Sequence, residues 1–446
     1  MATSLRRTLV QFTFMQLFNT TAYFSGSKFT LSQPINLYRK FTADYIFNGH
    51  KMLPDQQAII TDDKGCILDI VPVQHAGDEI QQLDGLICPG FINAHCHIEL
   101  SHLKGSIPEG GGLVNFVQQV ITQRKATEEV MQQAINDAAA EMYQSGVVAV
   151  GDICNTANSI FHKETSPIYW HNFIEVSGFV DAVAPKRLAE MEHVYRQFKE
   201  MDERQFPSDN RLPKAKYSST VYSPHSPYSV SKKLFQLLNE QTAGQLISIH
   251  NQECLAENEL YQHKTGGFLA LYKNLGIDIS GFESTGLTSL QSWLPYFTLQ
   301  QPIILVHNTF TSQADIDFTR EYSRRQKNGA AIYHCLCINA NLYIEQQEPP
   351  ISLLRANNCN ILIGTDSYAS NNQLNMLEEI KSIQRATNNN IPLQEVLGWA
   401  TINGAKALQM QHAFGSFEKC KQPGIVHIDH IAEMQLSVQS TANRII

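Results

Sequence analysis

Charge is scarce in this sequence: only 17% of its 446 residues are Asp, Glu, Lys or Arg. A disordered chain needs more charge and less apolar material, whereas 43% hydrophobic residues can fill a large core. An excess of base is missing too, because 42 acids stand against 34 Lys and Arg, for a formal charge of -8. Nucleic acid and anionic membrane normally meet a basic face, so neither is an expected partner. No apolar run approaches the ~18 residues that a membrane span requires. A disulfide framework is also lacking. The nine cysteines, at 66, 88, 96, 154, 254, 335, 337, 359 and 420, are odd in number and scattered through apolar stretches. Reduced thiols in a cytoplasmic setting are the expectation, with Cys335 and Cys337 as core thiols because no second pair completes a metal motif.

Acids are absent from the first 43 residues. Arg6 and Arg7 precede an apolar stretch through Phe18, as in targeting segments, but Gln11, Thr13 and Gln16 interrupt it and no clean cleavage site comes after. Residues 1–40 are read as a leader of no assigned role and set outside the fold.

Beyond the leader, the chain is rich in short apolar runs. Tyr45-Ile46-Phe47, Ala58-Ile59-Ile60 and Cys66 to Val71 are strand-like and separated by turn clusters, and Gly424 to Ile428 repeats the pattern near the other end. Residues 41–88 and 411–440 are therefore expected to form one small β-sandwich domain from both chain ends. Between them, 89–410 alternates strands and helices. Buried-strand runs end near His97, Asp152, Glu175, His225, His250, His307, His334 and Asp366. Leu113, Phe116, Val117, Val120 and Ile121 follow helical spacing; so do Met131, Ala134, Ile135, Ala138 and Met142, with Thr127 as N-cap and Gly146 past the end. Ser312 with Asp315 forms a capping-box pattern. Eight strands with helices between them predict an α/β chain with a (β/α)8 TIM-type barrel, whose site lies at the strands' C-terminal ends.

Those ends carry metal-binding residue types. In Cys88-Pro89-Gly90-Phe91-Ile92-Asn93-Ala94-His95-Cys96-His97, strand alternation puts His95 and His97 on one side. An H-x-H among 16 histidines can arise by chance. Here it is joined by His250-Asn251-Gln252-Glu253, by His307, and by Gly364-Thr365-Asp366-Ser367. His95, His97, His250 and Asp366 could supply the ligands of a catalytic metal with an open position, and Glu253 could sit beside it as proton carrier. Gly110-Gly111-Gly112 lacks the Lys-Ser/Thr that a phosphate loop needs.

Together these segments resemble the amidohydrolase superfamily, in its mononuclear branch of cytosine, guanine and adenosine-type deaminases. Ser223 to Tyr228, Thr401 to Leu408 and Gly415 to Glu418 extend the resemblance over about residues 41–430. The resemblance implies one divalent metal on His95, His97, His250 and Asp366, zinc before iron, manganese or nickel. It implies that Glu253 and Asp366 handle the proton of the attacking water, that His307 orients water and substrate, and that His225 touches the substrate. No lysine stands where binuclear relatives carry a carboxylated one. His97-Ile98-Glu99-Leu100-Ser101, with Ala256 to Glu259, is similar to the aminodeoxyfutalosine deaminases of an alternative menaquinone pathway. Glu99 then either faces the substrate or orients a metal-bound histidine.

The expected function is hydrolytic deamination of a small purine-type amine, and a homodimer is common among similar proteins. Amide, carbamate or chlorotriazine hydrolysis shares the same metal chemistry, and a non-catalytic barrel scaffold is the remote rival. His334, Asp152 and Glu175 are read as supporting polar groups. Cys254 to Gln301, with Phe268, Tyr272, Phe282 and Trp293, either covers the site or packs on the rim.

Overall fold

The computed structural model describes residues 38–205, 220–327 and 329–446. The leader lies outside the described residues except for Tyr38 to Lys40, which already belong to the first strand. Strands β1 (Tyr38–Ile46), β2 (Gln57–Asp62), β3 (Ile67–Pro72) and β4 (Gln81–Pro89) come from the N-terminal side. Strands β13 (Ile425–Ile428) and β16 (Ala442–Arg444) come from the C-terminal side. They make a single six-stranded mixed sheet in the order β16-β13-β4-β1-β2-β3, where a sandwich was expected. It reaches beyond residue 440 because β16 pairs antiparallel with β13, Val426 opposite Arg444. Between these, β14 (Ile431–Ala432) and β15 (Gln435–Leu436) form a short hairpin.

All eight expected strands of the middle segment are present. They are β5 (Phe91–Cys96), β6 (Val147–Cys154), β7 (Tyr169–Val176), β8 (Thr220–Pro224), β9 (Ile247–Asn251), β10 (Ile303–His307), β11 (Ile332–Leu336) and β12 (Asn360–Ile363). Every residue of β5, β6, β8, β9 and β10 is buried. That explains their unbroken apolar runs, since a parallel strand covered on both faces has no solvent side to alternate with. The eight form two four-stranded parallel sheets, β5-β6-β7-β8 and β9-β10-β11-β12. A parallel bridge between Cys96 and Asp366 links the outer edges of the two sheets. At the other edges the His250 amide donates to the His225 carbonyl (3.0 Å).

Helices fill the connections as the periodicity predicts. Helix α1 (Leu113–Gln123) carries the expected apolar stripe, and α2 (Glu128–Gln144) starts at Thr127, whose side chain accepts from the Val130 amide. Gly146, just past α2, takes the left-handed φ of 97° that favours glycine. Ser312 and Asp315 form the full reciprocal capping box of helix Gln313–Arg325. The stretch Thr401 to Leu408 packs on β5: a Cβ on Gly404 would meet Ile92 side-chain atoms at 2.7 Å, so only glycine fits. No helix among the described residues is long and apolar enough to cross a membrane.

Candidate metal and active site

Strand pairing brings distant segments together at one end of the eight strands. The amides of Thr365 and Asp366 both donate to the His95 carbonyl (3.1 Å). The Asn93 side chain clamps the same junction, donating to Thr365 Oγ1 (2.8 Å) and accepting from the Thr365 amide (3.1 Å). Gly364 has no room for a side chain, since a Cβ would lie 2.9 Å from His95 backbone atoms. Asp366, two residues on, has a left-handed φ of 57°, and His307 and Asn308 share that conformation at 71° and 58°. Such backbones are unfavourable for residues other than glycine and are typical of functional sites.

The result is a buried cluster of His95, His97, His250 and Asp366, with one ligand atom from each and all four within 4.8 Å of one another. His97 Nε2 lies 3.1 Å from both His95 Nε2 and His250 Nε2. Asp366 Oδ1 is 3.5 Å from His95 Nε2 and 3.4 Å from His97 Nε2. Donors held 2.0–2.1 Å from one ion at tetrahedral angles would lie about 3.3 Å apart, so the spacing fits a zinc-class ion. The tautomers fit as well. His250 Nδ1–H donates to the His225 carbonyl (2.6 Å), which leaves Nε2 as a bare lone pair facing the cluster. Burial lowers the pKa of His97 and lowers that of His250 well below the ordinary range, favouring the neutral form that ligates metals. Converging lone pairs would repel one another without a cation between them.

Glu253 and His307 adjoin the cluster. Glu253 Oε1 lies 3.5 Å from His307 Nε2, and both residues are buried. His307 Nδ1 pairs with Asn341 Oδ1 (2.7 Å), which fixes the ring. Burial pushes His307 down to about 4, while burial and the nearby Asp366 charge hold the Glu253 carboxyl well above the usual range. Ser370 donates to Asp366 Oδ2 (2.5 Å), so Oδ1 is the oxygen left for the imidazoles.

His225 sits on the cavity wall with His250 and Glu253. Its Nδ1 is 2.6 Å from Glu175 Oε1, and Glu175 Oε2 accepts from Asn155 Nδ2 (2.6 Å). Burial opposes ionisation of Glu175, but the charge and hydrogen bond of His225 outweigh it and hold the carboxyl below its usual range. Glu99 turns elsewhere. Its carboxylate accepts from the amides of Asn155 (3.1 Å) and Thr156 (3.0 Å), and it is not among the residues that line the cavity. Among the described residues, its hydrogen bonds go to the loop that carries Asn155 and not to a metal-site histidine.

Asp152 and Lys163 form a support beneath the site. Lys163 Nζ meets Asp152 Oδ2 at 2.5 Å, Asn172 Oδ1 at 2.9 Å and Cys154 Sγ at 3.3 Å, with both charged side chains fully buried. The other Asp152 oxygen accepts from the Ile98 amide (2.9 Å), the residue directly after His97. Lysine at 163, in the short helix α3 (Ile160–Thr165), was not singled out by its sequence context, and neither were Ser370, Asn155 and Asn341. Their roles depend on contacts across strands rather than on local spacing. His334 is not among the residues that line the cavity: it is buried within β11, neither ring nitrogen has a partner among the described residues, and burial pushes its pKa down to about 4.

A cavity of about 530 Å³ opens on the cluster. His97, His225, His250, Glu253, His307 and Asp366 line one part of it, the α1 stripe with Leu271, Tyr272, Leu275 and Ile277 lines another, and Phe179, Val180, Val183 and Met191 add a third wall. The segment 254–301 therefore contributes to the cavity wall, while Phe268 and Trp293 pack in the interior.

The family model of the amidohydrolase family matches residues 86–444. Adenosine deaminase of Helicobacter pylori is 26% identical over 337 residues, covering 74% of this chain and 76% of that protein. A 5-methylthioadenosine/S-adenosylhomocysteine deaminase of Pyrococcus abyssi is 25% identical over 389 residues, 84% and 78% of the two chains. The fold is similar to the crystal structure of Helicobacter pylori aminofutalosine deaminase with methylthio-coformycin (TM-score 0.69, 22% identity, 89% and 93% coverage). It is also similar to an adenosine deaminase of Xanthomonas campestris with bound zinc (TM-score 0.63, 21% identity, 88% and 85% coverage).

Proposed function

This chain belongs to the amidohydrolase family, and on that premise we propose that it is a metal-dependent deaminase of a purine-type amine, with 6-amino-6-deoxyfutalosine in menaquinone synthesis as its substrate. The observation that carries the reading is the convergence of three imidazoles and Asp366 next to Glu253 and His307, at one part of a cavity of ligand size. The names of the relatives support the purine class. The motif after His97 supports the narrower substrate. In this reading the eight strands form a (β/α)8 barrel over 89–410, and the terminal sheet is a small β-domain of its own.

His95, His97, His250 and Asp366 would hold one divalent ion, zinc in the first instance. Such an ion lowers the pKa of water from 15.7 towards about 7, making hydroxide available at neutral pH. Asp366 and Glu253 are the carboxylates placed to take the proton of the attacking water. Water adds to the ring carbon that bears the exocyclic amine. Glu253 passes the proton to the ring nitrogen and then assists departure of the amine as ammonia, leaving a carbonyl in its place. Burial holds the Glu253 pKa above the usual range, so a proton taken from the water is kept there until it passes to the ring nitrogen. His307, fixed through Asn341, orients the water, and His225, fixed through Glu175, contacts the substrate ring.

The test is ammonia release by metal-loaded protein from 6-amino-6-deoxyfutalosine, adenosine, methylthioadenosine and guanine. Selective release from the first is expected. Release only from another compound would keep the reaction and discard the substrate. Silence across the panel with one metal bound per chain would refute deamination and favour amide-type hydrolysis.

A further inference from the structure

Between His250 and Glu253 the chain turns at Gln252, a fully buried residue with a left-handed φ of 48°. That backbone is unfavourable for glutamine, so its surroundings must hold it there. Two buried carboxylates do so. Glu257 Oε1, in the helix Leu255–His263, accepts from the Gln252 amide (2.8 Å) and from Ser289 Oγ (2.5 Å). Asp315 Oδ2 accepts from Gln252 Nε2 (3.1 Å). The other polar atoms of Gln252 are used as well: Oε1 accepts from Thr311 Oγ1 (2.7 Å), and the carbonyl accepts from the Phe310 amide (3.0 Å).

Phe310, Thr311 and Asp315 all follow His307 in the chain. Gln252 therefore straps the turn that carries Glu253 to the turn that carries His307. The 3.5 Å approach of Glu253 Oε1 to His307 Nε2 spans the same gap. The chemistry of the strap calls for an amide. A carboxylate at 315 only accepts and the Thr311 hydroxyl donates here, so the side chain between them must give with one atom and accept with the other. Glutamate at 252 would set a second negative charge against Asp315. Gln252 is not among the residues that line the cavity, so its influence on a substrate passes through its neighbours.

Building on the deaminase reading, we propose that Gln252 is a positioning residue, which holds the Glu253 carboxyl at its working place beside His307 and the metal ligands. Its effect falls on the proton-transfer step and not on substrate binding.

The test is a double-mutant cycle on the metal-loaded full chain, with Gln252→Met, Glu253→Gln and the two combined. Gln252→Met keeps the side-chain length without the hydrogen bonds. It should lower kcat by about 10²-fold on whichever compound of the panel is turned over, with KM and metal content unchanged. In the Glu253→Gln background the same change should cost less than about threefold, because the carboxylate it positions is gone. Gln252→Gly suits the left-handed turn but lacks the strap, and should fall with Gln252→Met. The visible bands of the cobalt-loaded chain are a readout without turnover: Gln252→Met should move them in the same direction as Glu253→Gln and leave them in place in that background. Equal losses of kcat in both backgrounds, as general damage to the fold would give, overturn the positioning role. So does native kcat in Gln252→Met or Gln252→Gly. If no compound is deaminated but the cobalt bands show the coupling, the deaminase reading falls and the positioning role stands. If no compound is deaminated and Gln252→Met leaves the bands unmoved, both fall.

Discussion

Replacing Lys163 by Met removes the cation from a fully buried pair and leaves Asp152 charged with no counterion. The structure sets the scale. The ammonium touches Asp152, Asn172 and Cys154 and lies 5.0 Å from the ring centres of both Trp170 and Phe198, so water is not at hand to replace it. Breaking a buried pair from one side costs roughly 3–5 kcal/mol, because the remaining charge has lost its partner without regaining solvent. Methionine refills most of the volume, so little of that cost is cavity formation. The effect should also reach the metal. Asp152 holds the Ile98 amide, and a carboxylate that shifts or takes up a proton would loosen the backbone directly after His97. The assay is denaturant unfolding of the zinc-loaded protein beside a competitive chelator titration. The expected result is a stability loss in that range with a tenfold or greater loss of zinc affinity. A stability change below about 1 kcal/mol would refute the argument that this pair is sealed from solvent. Stability lost with zinc affinity unchanged would refute the link to His97.

Glu253→Gln should keep stoichiometric metal, measured by atomic absorption, while turnover falls by about 10²–10⁴-fold, the usual worth of a positioned proton carrier. Ser370→Ala should lower metal affinity by about 10–100-fold in a chelator competition, because Asp366 Oδ2 loses its donor and the carboxylate is free to turn. His334 supplies a pH test. Its native pKa lies near 4 against an ordinary 6.5, so the unfolded chain binds the extra proton first and stability drains as pH falls from 6.5 towards 4. That contribution amounts to at most about 3 kcal/mol. His334→Leu should unfold at higher denaturant than the native protein at pH 5, with a smaller gap at pH 8. Parallel curves for the two proteins across that range would contradict it.

The legible parts of the sequence were those encoded over a few residues. The i, i+2 alternation put His95 and His97 on one side, helical spacing marked α1 and α2, and the polar residue closing each apolar run marked the strand ends. The structure brings the residues of the motifs together: His95, His97, His250 and Asp366 cluster, with Glu253 and His307 adjoining. Features set by pairing at long range were illegible. Nothing near Lys163 in the chain shows that it lies under Asp152, and nothing near Asn155 shows that it joins Glu99 to Glu175. Glu99 itself was noticed for its position beside the metal pair, but its direction depends on a loop from the next strand. His334 looked like a strand-end group because a polar residue interrupts the apolar run there, whereas β11 continues through Leu336.

The terminal sheet bears on how the molecule is made. Strand β4 lies between β1, an early partner, and β13, with Pro89 opposite Ile425. Only Gly90 separates it from β5, the strand that presents His95. On a ribosome, β4 can zip to β1 almost at once, but its second edge stays open until residues beyond 425 emerge. Contacts between such distant parts of a chain form slowly and late. The early half of the metal site therefore waits, attached to a half-finished sheet, until β13 has been made. Zinc captured before residue 366 is made would meet a site without Asp366, and before residue 250 one without His250 as well, so tight metal binding should wait until both have been translated.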